Sequence, residues 1–441
     1  MSGGKSWQEI FQYIVLGVNT AKASHKKYHH ANSFLGILNG SPKTSYEFPD
    51  LTGSKSILWR LGFTFFTSIV ILLKSVLYWP IAIKEQSLPK KCDILFVSHL
   101  TNVSHLEMSS DFYFGDVSSV CRDNGLKSHT LLINHCKATR NNIKNYKNKD
   151  TSILLAYLSP LAELKIFMKL FLASFSLPNL GNSKFFKCAR LSQFDHKAMA
   201  NARIHEQVNT ILLKLKPRAL VQTFEGHGWE RMNTLSAHSQ LNPIKVISYH
   251  HAVLFPGPRA IDFIYGNGAD PDIIMMGGLT TQNVFRRDSE YRPDCISVLG
   301  SVKSVKINHN LPFKLKNNSC LIVPEGDINE VRIMVEVGIE TAKVLPDIKF
   351  VLRLHPLITI EKMTYHIPKL KNLPKNFLIS TGTLENDIER ATWLLYRASS
   401  VVFYGMSYGL RPVYFNGDNS VEVNDPVPNS IYFRKIVDSS S

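Results

Sequence analysis

The sequence predicts an α/β protein with two doubly wound, Rossmann-like domains. Short apolar runs alternate with longer amphipathic segments over most of the 441 residues. This alternation is typical of a parallel sheet covered by helices on both faces. A polar, basic segment without periodicity, residues 301–318, divides the alternation into two parts. A chain of this length can form two separate hydrophobic cores.

The first part of the alternation predicts six strands and one long amphipathic helix. The strands are expected at 91–98, 130–134, 218–224, 245–251, 272–277 and 295–300, and the helix at 198–215. Each strand is an apolar run that ends in polar residues. We therefore expect these polar residues to gather at the carboxyl edge of the sheet, where ligands of such folds bind.

The second part predicts a smaller sheet of the same kind. Strands are expected at 319–324, 347–356, 377–380, 391–396 and 412–415, with helices at 328–344, at 385–390 and after Ser400. The predicted organisation is a helical, partly apolar segment at 1–88, a first Rossmann-like domain at 89–305, a linker at 306–318 and a second Rossmann-like domain at 319–441.

Charge and cysteine usage limit the function classes. The net charge of +16 and the isoelectric point near 9.4 favour anionic partners. The sequence has no arginine-rich stripe, zinc-knuckle spacing or helix-turn-helix pattern, so we expect no nucleic-acid partner. The six cysteines are scattered without pairing in their spacing, which favours a reducing, cytoplasmic compartment.

Two apolar segments predict contact with a membrane surface. The first, residues 61–83, is interrupted by Lys74 and ended by Pro80, and the second covers 153–177. A spanning helix needs about 20 apolar residues, so lying on the inner face of the membrane, spanning it, and burial inside the first domain all remain open.

The first candidate catalytic motif follows the strand at 218–224. Glu225 stands at the end of this strand and is followed by Gly226, so we expect the carboxylate to be exposed and to act as a base. Apolar neighbours, Phe224 and Trp229, are expected to raise its pKa and Arg231 to moderate it. His227, Trp229 and Arg231 are candidate substrate contacts with Gly226, and a helix cap is the alternative role for Glu225.

A pair of histidines, His250 and His251, ends the next strand. Either imidazole could bind the substrate or share the acid–base work. Alternation along the strand predicts that only one of them faces the site. We predict a catalytic role for His251 and substrate contact for His250.

The second domain carries three polar strand ends. Glu325 and Gly326 follow the strand at 319–324, where glycine lets a ligand approach the backbone. Arg353, His355 and Pro356 end the strand at 347–356; alternation predicts that the arginine and the histidine point to the same side, where they could hold a phosphate.

Two hydroxyls, those of Ser399 and Ser400, precede the helix after the strand at 391–396. Hydroxyls at a helix N-terminus supply contacts to a phosphate. Together with the His355-Pro356 strand end they predict a nucleotide site in the second domain.

These motifs, in this order, resemble those of bacterial surface-polysaccharide glycosyltransferases of the GT-B type, whose two Rossmann-like domains face a cleft. The second half is similar to sialyltransferases and polysialyltransferases. The resemblance covers about residues 218 to 415. It implies that Glu225-Gly226 holds the base, His355-Pro356 the donor nucleotide, and Ser399-Ser400 its phosphate, without an essential metal or other cofactor.

The resulting hypothesis is an inverting, metal-independent transfer of a sugar from a nucleotide-sugar, with cytidine donors favoured. The acceptor would be a capsule, lipopolysaccharide or other glycan, or a lipid-linked acceptor, at the cytoplasmic face of the membrane. Two alternatives remain open: a polyol-phosphate transferase of the teichoic-acid type that uses its histidines, and a non-catalytic scaffold of a polysaccharide assembly complex.

The Asp270-Pro271-Asp272 sequence is predicted to be a stiff turn and not a metal site.

Overall fold

The computed structural model describes most of the chain. The described residues are 19–23, 26–32, 57–83, 88–144, 146, 150–178, 183–254, 259–301, 317–326, 328–355, 358, 360–397, 399–416 and 435–437. The predicted linker at 306–318 lies almost wholly outside this set, and so does Pro356. The chain divides into two compact units, Met1–Ala252 with Pro258–Val302, and Val253–Gly257 with Lys303–Ser441.

The first unit contains a parallel sheet of seven strands. They are β1 (Ile94–Leu100), β2 (Ser128–Asn134), β3 (Thr151–Ile153), β4 (Ala219–Thr223), β5 (Lys245–His250), β6 (Ile273–Met276) and β7 (Ile296–Val298). Their order is β3-β2-β1-β4-β5-β6-β7, and every pairing is parallel. The strand order therefore reverses between β1 and β4, which is the topological switch point of a doubly wound sheet.

Seven α-helices whose bounds the structure describes accompany this sheet. They are α1 (Ile57–Tyr78), α2 (Val117–Asp123), α3 (Pro160–Ser174), α4 (Ser183–Ser192), α5 (His196–Leu215), α6 (Gly228–His238) and α7 (Leu279–Asp288). Helix α5 begins where the side chain of Asp195 accepts a hydrogen bond from the amide of Ala198. It ends at Lys216, whose φ of 46° cannot continue a helix.

Alternate residues of each strand pack on opposite faces of the sheet. On one face, Leu95 and Val97 of β1 belong to the same buried core as Val208 and Leu212 of α5. On the other face, Phe96 packs with residues of α2 and of the loop before it. Both faces are therefore buried, which explains why the central strands are continuous apolar runs.

The second unit contains a parallel sheet of six strands. They are β8 (Ser319–Val323), β9 (Lys349–Leu352), β10 (Phe377–Ile379), β11 (Trp393–Tyr396), β12 (Arg411–Phe415) and β13 (Lys435–Val437), in the order β10-β9-β8-β11-β12-β13. Four helices accompany it in the described residues: α8 (Ile328–Val344), α9 (Ile360–His366), α10 (Leu384–Arg390) and α11 (Val401–Ser407). Its switch point lies between β8 and β11.

The second sheet is also covered on both faces. Cys320 and Ile322 face a core built with α8 and α9, and Leu321 and Val323 face a core built with α10 and α11. Gly338 of α8 lets the helix approach the sheet, because a Cβ there would lie 2.9 Å from the Phe377 ring.

The predicted α/β class with two parallel, doubly wound sheets is confirmed. The structure adds two short strands that the sequence did not indicate, β3 and β13. β3 is only three residues long and opens a longer apolar run, so no change of periodicity marks it.

Candidate active site

The candidate active site lies at the carboxyl edge of the first sheet. The ends of β2, β1, β4 and β5 lie side by side at this edge. Each carries a polar side chain: His135 follows β2, His99 is the penultimate residue of β1, Glu225 follows β4, and His251 follows β5. The site therefore surrounds the switch point, where parallel sheets open a crevice for ligands.

A second carboxylate shapes the loop after β4. The buried side chain of Glu230 accepts hydrogen bonds from the amides of Glu225 (3.0 Å), Gly226 (2.8 Å) and His227 (2.9 Å). Gly226 has a φ of 87°, a left-handed conformation that favours glycine. Glu230 therefore holds the backbone of the loop and leaves the side chain of Glu225 free to face the site.

Two imidazoles hold the carboxylate of Glu225. Nε2 of His227 lies 3.0 Å from Oε2, and Nε2 of His251 lies 3.2 Å from Oε1. The side chains of Glu225, His227 and His251 expose 30%, 37% and 12% of their surfaces. A carboxylate between two imidazoles can hold both rings with their Nε2 atoms protonated.

The contacts between Glu225 and the imidazoles lower the pKa of the carboxyl group and raise the pKa of the His227 ring. Burial alone would raise the pKa of Glu225, but the hydrogen bond from His227 and the charge of His251 outweigh it and place this pKa well below its usual range. Burial alone would lower the pKa of His227, but its bond to Glu225 and the charge of Glu230 raise it. The expectation that Phe224 and Trp229 raise the pKa of Glu225 is wrong, because the imidazoles dominate.

A chain of hydrogen bonds continues behind the site. The Thr223 hydroxyl donates to Oε1 of Glu230 (3.3 Å), so its oxygen accepts from Nε2 of His99 (2.9 Å). Nδ1 of His99 then accepts from Nε2 of His135 (2.8 Å). Burial lowers the pKa of His99 to about 3, so this ring stays neutral and keeps the tautomer that the chain requires.

The buried carboxylate at the end of this chain has an unusual pKa. Burial raises the pKa of Glu230 to about 7, while the charge of His227 and the amides of the loop oppose the rise. All the groups that contact its oxygens are donors, which is the arrangement that an ionised carboxylate requires.

An aromatic ring lies beside the histidines. The Tyr113 ring is 4.9 Å from the His99 ring and 4.8 Å from the His251 ring. Asp111 holds the loop that carries it, since its carboxylate accepts from the amides of Tyr113 and Phe114 and from the Ser98 hydroxyl. Tyr113 thus links the ends of β1 and β5.

Two of the predicted substrate contacts, Trp229 and Arg231, have buried side chains. Trp229 lies in the core under His99 and His227, with ring distances of 5.7 and 5.9 Å. Arg231 donates to the carbonyl of Ala260 (2.7 Å) and lies over the Tyr265 ring. In this structure the two side chains are packed in the interior next to the site. Their contact with a substrate stays a prediction.

The histidine pair divides as alternation along β5 predicts. His250 is buried, and its Nδ1 donates to the carbonyl of Phe224 (2.6 Å), which ties the end of β5 to the end of β4. His251 instead reaches Glu225. Substrate contact by His250 stays a prediction.

Three residues of the site were not found from the sequence: His99, Tyr113 and His135. His99 and His135 each stand at the end of an apolar strand, which is the same signal that identified Glu225 and His251. The sequence therefore carries a signal for both histidines. Tyr113 comes from a loop and carries no such signal.

The second sheet places its predicted residues at the ends of three neighbouring strands. Glu325 and Gly326 follow β8, His355 follows β9, and Ser399 follows β11. His355 lies against Gly326, because a Cβ at the glycine would be 3.2 Å from Nδ1 of the histidine. Glu330 accepts a hydrogen bond from the amide of Glu325 (3.1 Å).

Arg353 and His355 contact different neighbours. β9 ends at Leu352, so the alternation expected to align the two side chains does not extend to them. Arg353 forms an ion pair with Asp387 (2.7 Å) and donates to the carbonyl of Gly382 (2.9 Å). A phosphate would therefore have to compete with Asp387 for this guanidinium.

The two serines differ in exposure. Ser399 is buried, and its hydroxyl accepts a long hydrogen bond from the amide of Val401 (3.4 Å), whereas Ser400 is exposed. Among the residues that the structure describes, no group of three or more His, Cys, Asp or Glu side chains could hold a metal ion.

Comparisons with known proteins give similarity to solved structures alone. No protein-family model matches the chain, and none of the curated proteins matches it. The chain is similar to the UDP-GlcNAc 2-epimerase of Methanocaldococcus jannaschii, solved with UDP-GlcNAc and UDP, at 14% identity over 79% of this chain and 89% of that one, with a TM-score of 0.44.

Two further structures show similar values. They are the UDP-N-acetylglucosamine 2-epimerase of Rickettsia bellii (11% identity, 74% and 79% of the two chains, TM-score 0.42) and the glycotransferase of kitacinnamycin (12%, 75% and 82%, TM-score 0.42). Identities this low relate folds and not activities, so the function of this chain depends on its own residues.

Proposed function

We propose that the protein is a glycosyltransferase that moves a sugar from a nucleotide-sugar to a hydroxyl of a glycan or lipid-linked acceptor. The observation that carries this proposal is the carboxylate of Glu225, held between His227 and His251 at the switch point of the first sheet. Such a carboxylate can orient an imidazole that takes a proton from a hydroxyl, and it can stabilise the imidazolium that forms.

In the proposed reaction, the acceptor oxygen attacks the anomeric carbon as the bond from that carbon to the nucleotide phosphate breaks. The proton of the acceptor hydroxyl passes to an imidazole, because a carboxylate with a strongly lowered pKa is a weak base. His227 suits this role better than His251, since it is the more exposed ring and its pKa is raised.

Glu225 accepts from Nε2 of His227, so Nδ1 is the nitrogen that would receive the proton. The carboxylate then stabilises the imidazolium that forms. His251, from the other side, keeps Glu225 ionised. The attack and departure occur in one displacement, so the configuration of the anomeric carbon inverts.

The second unit would bind the donor. Its candidate contacts are Glu325, Gly326, Arg353, His355, Ser399 and Ser400, at the carboxyl ends of β8, β9 and β11. Hydroxyl and imidazole groups there would donate to the phosphate as its negative charge develops. We propose a cytidine nucleotide as donor, in line with the resemblance of the His355-Pro356 and Ser399-Ser400 motifs.

A second candidate is a polyol-phosphate transfer from a cytidine donor. The observation that favours it is that the pKa of Glu225 is lowered while that of His227 is raised, so the imidazole is the stronger base. That reaction would use histidines as its acid–base groups. The two reactions differ in the bond that breaks: carbon–oxygen in sugar transfer and phosphorus–oxygen in polyol-phosphate transfer.

The direct test is nucleotide binding followed by donor turnover. CMP, UDP and GDP at millimolar concentration are compared in thermal unfolding, where a ligand that binds the native state raises the midpoint. We expect CMP to give the largest rise. Release of nucleotide from CMP-sugars supports sugar transfer, release from CDP-glycerol supports the second candidate, and no stabilisation by any nucleotide contradicts both.

A further inference from the structure

Helix α1 packs against the protein with its polar side. The residues that face inward are Thr64, Ser68, Ile71, Ser75 and Tyr78, spaced at intervals of three or four. Three of these four polar side chains donate a hydrogen bond to a backbone carbonyl. Ser68 donates to the carbonyl of Thr64, Ser75 to that of Leu72, and Tyr78 to that of Ala138.

The outward side of the same helix is apolar. It exposes Phe63, Phe66, Ile69, Leu73, Val76 and Leu77, of which Phe66 exposes 62% of its surface and Leu77 76%. A surface helix of a water-soluble domain has the opposite arrangement, with its apolar side inward. The outward side of α1 is therefore suited to an apolar surrounding and not to water.

Helix α3 extends this apolar surface. It exposes Leu161, Leu164, Met168 and Leu172, and Phe175 directly after its end is also exposed, again at intervals of three or four. The two helices lie against each other, since the Phe65 ring of α1 is 5.9 Å from the Phe167 ring of α3. We call the exposed apolar residues of α1 and α3 the apolar face.

The charges next to this face are positive. Lys74 of α1, Lys165 of α3 and Lys187 of α4 are exposed, and the guanidinium of Arg190 lies 5.2 Å from the Phe175 ring. These three helices contain one carboxylate, Glu163, and it is buried in an ion pair with Arg203. The face and its surroundings thus complement an anionic lipid headgroup layer.

We propose that the apolar face lies in the interface of an anionic lipid bilayer, with α1 and α3 parallel to the membrane plane. By length and composition, Leu61–Ile81 could also cross a membrane, but 28% of that stretch is buried in the domain. Crossing would require the inward hydroxyls of α1 to leave their places against the protein. The face can enter the interface without any such rearrangement.

The test is vesicle binding of the full chain. Wild type is floated with vesicles of phosphatidylcholine alone and with vesicles that contain about one-third phosphatidylglycerol. We expect binding to the anionic vesicles and a roughly tenfold or greater loss of binding in the double variant Phe66→Glu, Leu73→Glu.

The matched control is the double variant Leu241→Glu, Leu279→Glu. It changes two exposed leucines of the same unit that lie outside α1 and α3, and it should bind as wild type does. Thermal unfolding establishes that both variants are folded. Equal binding by the Phe66→Glu, Leu73→Glu variant and wild type would overturn the proposal.

Two further outcomes would also overturn it. Cleavage of vesicle-bound wild type by a protease enclosed in the vesicle lumen would mean that the helix spans the membrane. A lipid-free wild-type dimer in light scattering, converted to a monomer by Phe66→Glu, Leu73→Glu and with no vesicle binding, would mean that a second copy covers the face. None of these results depends on nucleotide turnover.

Discussion

The two sheets carry the same short sequence at their switch points, and they use it differently. Glu225-Gly226 and Glu325-Gly326 each follow a central strand, and each has a second glutamate five positions after the first, Glu230 or Glu330. In both loops the second glutamate accepts a hydrogen bond from the amide of the first. The local frame is therefore the same.

The surroundings of the first glutamate are what differ. Glu225 contacts imidazoles that arrive from its own loop and from β5, with the His99–His135 pair behind them. In the second loop, a histidine from β9 packs against the glycine instead. The Glu-Gly loop is therefore a shared backbone arrangement, and the side chains from neighbouring strands determine its chemistry.

The largest difference is expected when the first glutamates are replaced. Glu225→Gln should lower kcat/KM roughly 10³-fold, because glutamine cannot stabilise an imidazolium by charge. Glu325→Gln should lower it less than about tenfold and mainly through KM, since this residue is proposed to bind the donor. Rates of nucleotide release measure both, and equal losses would contradict the division of roles.

The second glutamates should both contribute to stability. Glu230→Ala leaves three loop amides without their acceptor, so we expect a loss of about 3 kcal/mol in the free energy of unfolding. Glu330→Ala removes the acceptor of the Glu325 amide, so we expect a loss of at least about 1 kcal/mol. Urea denaturation gives both values; an unchanged stability of Glu330→Ala would show that the two loops are not framed alike.

The glycines should differ less. Gly226→Ala places a side chain at a φ of 87°, which costs about 1–2 kcal/mol and displaces Glu225. Gly326→Ala has no such strain, but its Cβ would press on His355, so we expect a change below about 1 kcal/mol together with a higher KM for the donor. Thermal unfolding and donor kinetics test this pair, and a rise in KM confined to Gly226→Ala would contradict it.

The smallest effect is the pH dependence of the Glu225–His227 pair. Because the pKa of Glu225 is lowered by folding, its contribution is present above the unfolded pKa of about 4.3 and is lost as the pH falls through the folded value. Because the pKa of His227 is raised, its contribution is present below about pH 6.5 and is lost as the pH rises through the folded value.

The difference in unfolding midpoint between wild type and Glu225→Gln should therefore be greatest between about pH 4.3 and 6.5 and smaller on both sides. Thermal unfolding from about pH 4 to 9 measures it. A difference that keeps rising above pH 7 would mean that the two groups do not titrate as a pair.

The sequence by itself determined the repeated strands and helices, because buried parallel strands must be continuous apolar runs and helices must show periodicity. It also determined Glu225, Gly226 and His251 as polar strand ends. Helix α8 was predicted at 328–344, and the structure has it at Ile328–Val344.

Only the tertiary structure decided which polar ends meet. His99, His135 and Glu225 are separated by up to 126 residues, and parallel pairing through long crossovers brings them together. It also decided that the pKa of Glu225 falls, since two imidazoles outweigh burial, and that α1 turns its hydroxyls inward. Periodicity shows that a helix has two sides, but packing selects the side that is buried.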